Sequence, residues 1–143
     1  MSRLLVIGCG GVASVAIHKC CQLSEVFTEL CIASRTKSKC DALKKELETK
    51  TSTKITTAQL DADHVDEIIA LINSYKPDAV LNVALPYQDL TIMDACLATK
   101  VSYIDTANYE CENTDDPEWR KVYEERCKRL GFTAVSYTHL TLP

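Results

Sequence analysis

A glycine-rich segment near the N-terminus has the residue types and spacing of a phosphate-binding loop. It fits the pattern G-x-G-x-x-[GA], and its residues are Gly8-Cys9-Gly10-Gly11-Val12-Ala13. In this pattern Gly8 allows a tight turn, Gly10 lets a phosphate approach the main chain, and small Ala13 lets a helix pack closely on a strand. Free N–H groups at the start of a following helix attract a pyrophosphate. The segment therefore predicts a dinucleotide site; a tight turn that binds nothing is the alternative.

A second polar segment indicates which dinucleotide binds. NAD-preferring domains place Asp or Glu about 20 residues after the glycines, where the carboxylate holds the ribose hydroxyls. This sequence has hydroxyls and three cations there instead: Ala33-Ser34-Arg35-Thr36-Lys37-Ser38-Lys39. These groups suit a 2′-phosphate, which the planar guanidinium of Arg35 binds through two N–H groups while it stacks on adenine. The segment predicts NADP(H) as the cofactor, and a solvated, basic helix start is the alternative.

Polar residues after a β-branched run form a third candidate segment for cofactor binding. Asp61, Ala62 and Asp63 are expected beside the adenine or, with equal weight, as a loop in which Asp63 caps the next helix. No feature of the sequence decides between these two interpretations.

Two further segments follow apolar runs and are expected at the same edge. The first is Asn82-Val83-Ala84-Leu85-Pro86-Tyr87, and the second is Tyr103-Ile104-Asp105-Thr106-Ala107-Asn108-Tyr109-Glu110. In the first, backbone at Val83 and Ala84 is expected to face the ribose or the nicotinamide, and Pro86 turns the chain away. The second is dense in polar and aromatic groups, as loops that form sites often are. A structural turn and loop capping are the respective alternatives.

Hydrophobic periodicity predicts the elements that position these residues. Short apolar or β-branched runs predict strands at 4–7, 29–33, 53–59, 79–84 and 102–105. Helical spacing of apolar residues predicts helices at 12–23, 34–48, 65–75, 91–99 and 119–130. Strict alternation of the two indicates right-handed βαβ units. We therefore predict an α/β fold, a doubly wound parallel sheet of the Rossmann type.

Composition narrows the possible partners. The 143 residues suit one domain, and 46% hydrophobic with 25% charged residues excludes a disordered chain. The net charge of −4, from 16 Lys and Arg against 20 Asp and Glu, favours neither nucleic acid nor an anionic membrane. A small-molecule partner is expected.

Cysteine usage and the N-terminus indicate a reduced, cytoplasmic protein. No C-x-x-C pair occurs among the eight cysteines, which are Cys9, Cys20, Cys21, Cys31, Cys40, Cys96, Cys111 and Cys127. They lie in apolar or helical stretches, which predicts small core residues and not disulfides, nucleophiles or metal ligands. His18 and His64 have no partner at metal-binding spacing, so no metal is predicted. Neither a signal peptide nor a membrane span is evident.

As a set, these segments resemble the N-terminal part of the saccharopine dehydrogenase-like family over residues 4–132. The segments that carry the resemblance are Val6-Ile7-Gly8-Cys9-Gly10-Gly11-Val12, Ile32-Ala33-Ser34-Arg35-Thr36, Asn82-Val83-Ala84-Leu85-Pro86-Tyr87, Asp94-Ala95-Cys96 and Tyr103-Ile104-Asp105-Thr106-Ala107-Asn108-Tyr109-Glu110. The last three together are more specific than the glycine motif. The most similar branch contains the members that form carboxynorspermidine or carboxyspermidine.

The resemblance implies a cofactor role for individual residues. It places Gly8, Gly10, Gly11 and Val12 at the pyrophosphate, Ser34, Arg35 and Thr36 at the 2′-phosphate, Asp61 and Ala62 near adenine, and Val83, Ala84 and Pro86 beside ribose and nicotinamide. It places Tyr109 and Glu110 on the substrate side. The catalytic residues are not identified from the sequence.

The resemblance also implies an activity, an NADPH-dependent reductive condensation of aspartate β-semialdehyde with a diamine. Family members continue into a second domain that supplies most substrate contacts and the homodimer interface, and this chain is expected to stop before it. A saccharopine dehydrogenase or reductase of lysine metabolism and a non-catalytic NADP-binding module are the alternatives. An S-adenosylmethionine-dependent methyltransferase is disfavoured because residues 34–36 lack an acidic ribose ligand.

We interpret the last nine residues of the sequence as a tail that does not come from the native protein. These residues are Val135-Ser136-Tyr137-Thr138-His139-Leu140-Thr141-Leu142-Pro143. They back-translate to a transposase adapter used to prepare sequencing libraries. We therefore expect an NADP-binding domain at 1–134 and a non-native tail at 135–143.

Overall fold

Alternating strands and helices build residues 2–106, which the computed structural model describes together with Glu118, Lys121, Glu125 and Lys128. The strands are β1 (Ser2–Ile7), β2 (Phe27–Ser34), β3 (Lys54–Gln59), β4 (Ala79–Asn82) and β5 (Ser102–Asp105). The helices are α1 (Gly11–Gln22), α2 (Lys37–Leu47), α3 (Val65–Tyr75) and α4 (Asp89–Thr99), and a 3₁₀ turn spans Pro86–Gln88. The predicted alternation is confirmed over this range.

The five strands form one parallel sheet in the order β3-β2-β1-β4-β5. The chain therefore winds outward from β1 in one direction and then returns to its other side, which confirms the doubly wound fold. At the carboxyl edge Ile7 is in register with Ala33 of β2 and Asn82 of β4, and Asn82 is in register with Asp105 of β5. The crevice of such a sheet lies where the winding direction reverses, above β1 and β4.

Both faces of the sheet are buried, which explains why β1 is apolar at successive positions. Leu5 and Ile7 pack in the cluster that contains α3 and α4 residues. Leu4 and Val6 pack in the cluster on the opposite face, with residues of α1 and α2. Since strand side chains alternate between faces, one four-residue run serves two cores.

Several predicted boundaries are wrong by a few residues. Helix α2 begins at Lys37 and not at residue 34, because Ser34 still pairs with Gln59 in the sheet. Strand β4 ends at Asn82 and not at residue 84, and α4 begins at Asp89 and not at residue 91. At the carboxyl edge, the loop after β2 is therefore longer than the sequence pattern indicated, and the connection after β4 keeps its predicted length but begins two residues earlier.

Some predictions fall on residues that the structure does not describe. The helix at 119–130 is described only at Lys121, Glu125 and Lys128, which are helical and exposed. Tyr109, Glu110 and the tail at 135–143 lie outside the described residues, so the predictions for them stay predictions. In the described part of the chain, no helix has the length and apolar character needed to cross a bilayer.

Candidate functional site

Gly8 makes the tight turn that the glycine motif predicts. Its φ of +122° lies in the region that favours glycine, and its N–H donates to the carbonyl of Ala33 at 2.9 Å. A Cβ at Gly8 would lie 2.5 Å from the carbonyl oxygen of Val83 and 2.9 Å from the nitrogen of Ala84. The loop after β4 therefore packs directly on the loop after β1, and only glycine permits this approach.

Gly10 and Gly11, unlike Gly8, have open space where a side chain would lie. A Cβ at either residue would meet nothing within 4 Å, so open space lies above this backbone. Gly10 precedes α1 in an extended conformation, and no side chain caps the helix start. The N–H groups of the first turn are thus left for another acceptor, as phosphate binding at a helix N-terminus requires.

A cleft of about 320 Å³ opens at this edge of the sheet. Eight of the predicted cofactor residues line it, namely Gly8, Gly10, Ser34, Arg35, Thr36, Ala62, Val83 and Ala84. Five more residues line the cleft, and sequence reasoning did not assign them to the cofactor. They are Ile7, Cys9, Leu60, Leu85 and Gln88. The cleft also includes Lys39, one of the three cations noted after β2. Segments that are distant in sequence thus form one cavity.

Three other predicted residues, Gly11, Val12 and Asp61, lie next to this cleft and do not line it. Gly11 and Val12 lie in the first turn of α1, where Val12 is 65% exposed. The carboxylate of Asp61 accepts a hydrogen bond from the backbone N–H of Asp63 at 3.1 Å, which closes the loop after β3. Pro86 begins the 3₁₀ turn.

Hydroxyl groups and cations lie together at the end of β2. Ser34 Oγ donates to the carbonyl of Thr36 at 3.2 Å, which holds the backbone of this turn. Lys37 forms an ion pair with Asp41 at 2.9 Å. Within the described part of the chain, Arg35 and Lys39 form no such pair and both line the cleft. Two cations therefore remain available to a ligand.

Cys9 lies in the glycine loop between these groups, and its thiol remains neutral. Burial and the neighbouring Cys40 raise the pKa of Cys9 to about 11, although the positive charge of Lys39 opposes this shift. A neutral thiol adds no negative charge where phosphates approach, and it is a poor nucleophile. Burial also raises the pKa of Cys20, Cys21, Cys31 and Cys96. The cysteines that the structure describes are free. Among all the residues it describes, no cluster of His, Cys, Asp and Glu could hold a metal ion.

A buried polar network, which sequence reasoning missed, lies behind the cleft at the ends of β4 and β5. Asn82 Nδ2 donates to Asp89 Oδ1 at 2.5 Å and to the Tyr103 hydroxyl at 3.0 Å, and Asn82 Oδ1 accepts from the N–H of Ala84 at 2.9 Å. The Tyr103 hydroxyl donates to Asp105 Oδ2 at 3.0 Å. Burial, then the charges of Asp89 and Asp105, raise the pKa of Tyr103 far above its ordinary value, so the hydroxyl keeps its proton.

The start of α4 also holds the loop after β3. Gln88 Nε2 donates to Asp63 Oδ1 at 2.8 Å, and the Thr91 hydroxyl donates to the carbonyl of Ala62 at 2.5 Å. The alternative in which Asp63 caps α3 is wrong, because the residue that precedes the helix is His64 and no side chain caps it. Asp63 instead joins the loops after β3 and β4.

The sequence matches a family model described as the saccharopine dehydrogenase NADP binding domain over residues 4–135. The chain belongs to this family. It is 42% identical over 137 residues to a carboxyaminopropylagmatine dehydrogenase of Synechocystis sp., covering 94% of this chain and 33% of that protein. It is 36% identical over 143 residues to a carboxynorspermidine synthase of Vibrio alginolyticus, covering 92% of this chain and 34% of that protein. The chain thus spans about a third of the length of these relatives.

Solved structures show the same fold at low identity. Saccharopine dehydrogenase (L-Glu forming) from Saccharomyces cerevisiae superposes with a TM-score of 0.69 at 17% identity, covering 93% of this chain and 26% of that one. A short-chain dehydrogenase/reductase from Veillonella parvula, in complex with NADP, gives a TM-score of 0.56 at 10% identity, covering 73% and 46% of the two chains.

NADP(H) is the cofactor of this family's domain, and the geometry of the cleft fits it. Open backbone at Gly10 and Gly11 suits a pyrophosphate, which needs close access to N–H groups. The cations Arg35 and Lys39 suit an additional phosphate. The chain is therefore the NADP(H)-binding domain of an oxidoreductase family.

Proposed function

We propose that the cleft holds NADP(H) in one orientation, with the pyrophosphate on the glycine loop and the 2′-phosphate at the end of β2. Gly8, Gly10, Gly11 and Val12 would supply backbone at the pyrophosphate, while Ser34, Arg35 and Thr36 bind the 2′-phosphate. Asp61 and Ala62 lie towards the adenine, and Val83, Ala84 and Pro86 lie beside the ribose and nicotinamide. In this proposal the adenine, the 2′-phosphate, the pyrophosphate and the nicotinamide follow the strand order β3, β2, β1 and β4 across the sheet.

The observation that carries this proposal is that two of the three cations after β2 have no acidic partner in the described part of the chain. Lys37 is neutralised by Asp41, whereas Arg35 and Lys39 line the cleft and have no acidic partner in the described part of the chain. Since a surface cation gains little from an exposed ion pair, a ligand phosphate is the stronger partner for Arg35.

For the whole protein we propose the reductive condensation of aspartate β-semialdehyde with a diamine, which forms carboxynorspermidine or carboxyspermidine. The aldehyde and the amine lose water to form an imine, and NADPH supplies the hydride that reduces the C=N bond. The names of the relatives support this chemistry, because one is a carboxynorspermidine synthase and another acts on a carboxyaminopropyl derivative of the amine agmatine. Tyr109 and Glu110 would face the substrates.

In this proposal the domain binds and orients the cofactor, and most substrate contacts and the homodimer interface come from the part of the relatives that this chain does not span. A saccharopine dehydrogenase would share the cofactor and the C–N chemistry with a larger amino-acid substrate. Turnover of NADPH by a chain of the relatives' full length, with aspartate β-semialdehyde and either a diamine or agmatine, tests the substrate class. Cofactor binding without turnover of any of these would favour a non-catalytic module.

Arg35→Ala tests the cofactor orientation in the chain as it stands. NADPH affinity is expected to decrease about thirtyfold, and NADH affinity to change less than about twofold, because only NADPH carries the phosphate that Arg35 binds. Nicotinamide fluorescence titrations with both cofactors measure the two affinities. Lys37→Ala is the matched control, since Lys37 already pairs with Asp41. Equal weakening of NADPH and NADH by Arg35→Ala would show that Arg35 does not bind the 2′-phosphate.

A further inference from the structure

We propose that Asp89 is a positioning residue, which acts through Asn82 to fix the Val83–Ala84 turn on the nicotinamide side of the cleft. This inference rests on the proposed cofactor orientation. Asp89 lies in the first turn of α4 and is 1% exposed, and it does not line the cleft. Its effect on a bound ligand must therefore pass through its neighbours.

The hydrogen bonds around Asn82 have only one consistent direction. The backbone N–H of Ala84 is a donor, so the atom that it contacts must be the oxygen of the Asn82 amide. The amide nitrogen then points to Asp89 and Tyr103 and needs an acceptor on each. Asp89 supplies one of these acceptors, and without it the buried amide loses one of its three hydrogen bonds and is held less firmly.

The Asn82 amide is connected to the cleft by backbone contacts. It fixes the N–H of Ala84, and the carbonyl of Val83 lies against Gly8 so closely that no Cβ fits between them. Val83, Ala84 and Gly8 all line the cleft. A change in the orientation of Asn82 therefore reaches Ala84 through a hydrogen bond, and it reaches Gly8 through the packing of the Val83 carbonyl.

Asp89 itself is not fully satisfied by these contacts, which indicates a role other than stability. Its Oδ2 is buried and has no hydrogen-bond partner among the described residues. A buried polar atom without a partner destabilises a fold, so an apolar residue would suit the position better if packing alone mattered. What the acid provides is the acceptor oxygen Oδ1 for Asn82.

The charge state of Asp89 agrees with this role. Burial and the negative charge of Asp105 raise its pKa to about 8, although the hydrogen bond from Asn82 opposes this shift. Among the described residues, the groups that face it are Tyr103 and Asp105 on β5 and the neutral Asn82 on β4. At pH 7 the acid is mostly neutral, with the proton on Oδ2 and the acceptor Oδ1 turned to Asn82. Ionisation adds a buried negative charge beside that of half-buried Asp105, below the cleft that binds the phosphates in the proposed orientation.

Two substitutions separate an acceptor role from packing. Asp89→Asn retains a neutral acceptor oxygen, and Asp89→Ala removes it; NADPH dissociation constants of the whole chain are measured at pH 6.5 and pH 9. At pH 6.5 Asp89→Asn is expected to bind within about twofold of the original chain, and Asp89→Ala about tenfold more weakly. Between the two pH values the original chain is expected to lose severalfold more affinity than Asp89→Asn. The exposed Asp66, changed in the same two ways, is the control.

Three outcomes would overturn the proposal. A folded Asp89→Ala chain that binds NADPH like the original would show that the acceptor is not needed, and equal weakening by Asn and Ala would show that the acceptor oxygen is not what matters. An identical pH profile for Asp89→Asn and the original chain would also contradict it, and this comparison holds even if Asp89→Ala fails to fold. Failure of the original chain to bind NADPH would reject the proposed cofactor site as well, whereas binding with indifferent variants rejects only the role of Asp89.

Discussion

The two walls of the cleft are built in different ways. The first wall, Gly10 with Arg35 and Lys39, consists of open backbone and cations that are available to a ligand. The second wall, Val83–Gln88, is supported from behind by the buried network of Asn82, Asp89, Tyr103 and Asp105. The first wall therefore contributes binding groups directly, and the second contributes shape. Substitutions in the first wall should change affinity at constant stability, and those in the second should change both.

Gly8 is the point where the two walls meet, and its substitution has the largest expected effect. Gly8→Ala would force an alanine into φ +122° and place its Cβ 2.5 Å from the Val83 carbonyl oxygen, so backbone must move. We expect a loss of at least about 3 kcal/mol in the free energy of unfolding, measured by urea denaturation. A denaturation midpoint equal to that of the original chain would mean that the walls are not in contact.

Gly10→Ala is the matched control, and it sharpens the difference between the walls. Its Cβ meets nothing within 4 Å, so stability should change by less than about 1 kcal/mol. NADPH affinity should still decrease about tenfold, because the methyl group occupies the space above the loop that the pyrophosphate needs. An unchanged affinity would place the pyrophosphate elsewhere.

The same division explains what the sequence could predict. The first wall was predictable because its signals are local: a glycine pattern after an apolar strand, and cations with no carboxylate at the end of the next strand. The second wall was predicted only as two separate polar segments. Asn82 lies 7 residues from Asp89 and 21 from Tyr103, and their contact depends on β4 lying between β1 and β5. Hydrophobic periodicity predicts the strands and not their order.

Boundaries failed for a related reason. Ser34 has a side chain typical of turns, yet it remains in β2 through its pairing with Gln59, whereas β4 ends at Asn82 although the apolar run continues to Ala84. The preference of a single residue type is weaker than the contacts of its neighbours in the sheet. A signal that could have found the network is the Asn at the end of an otherwise apolar strand, since a buried amide requires partners.

The free energy of unfolding should depend on the proton on Asp89. Asp89→Asn is expected to stabilise the chain, whereas Gly8→Ala destabilises it. The unfolded chain has the ordinary carboxyl pKa of 3.8, and burial raises it to about 8 in the folded state. Between these values the folded state retains a proton that the unfolded state releases, so this group lowers stability as pH rises from about 4 to about 8. Asp89→Asn removes the effect, so it should raise the free energy of unfolding more at pH 8 than at pH 5.5, by roughly 3 kcal/mol.

Urea denaturation of both chains at the two pH values measures this difference. A stability gain that is the same at pH 5.5 and pH 8 would assign the effect of the substitution to packing and not to the proton.

Thr91→Val tests the link between the second wall and the loop after β3, with the smallest expected effect. The Thr91 hydroxyl lies within hydrogen-bond distance of two carbonyls, those of buried Ala62 and of Gln88, and valine has nearly the same shape without the donor. We expect a loss of about 1 kcal/mol, a decrease in Tm of roughly 2–5 °C. Thr99→Val is the control, since the Thr99 hydroxyl bonds to Ala95 of its own helix, whose carbonyl already accepts from the helix backbone. Equal shifts in Tm for the two variants would mean that α4 does not hold this loop, and that the cleft takes its shape from the sheet edge alone.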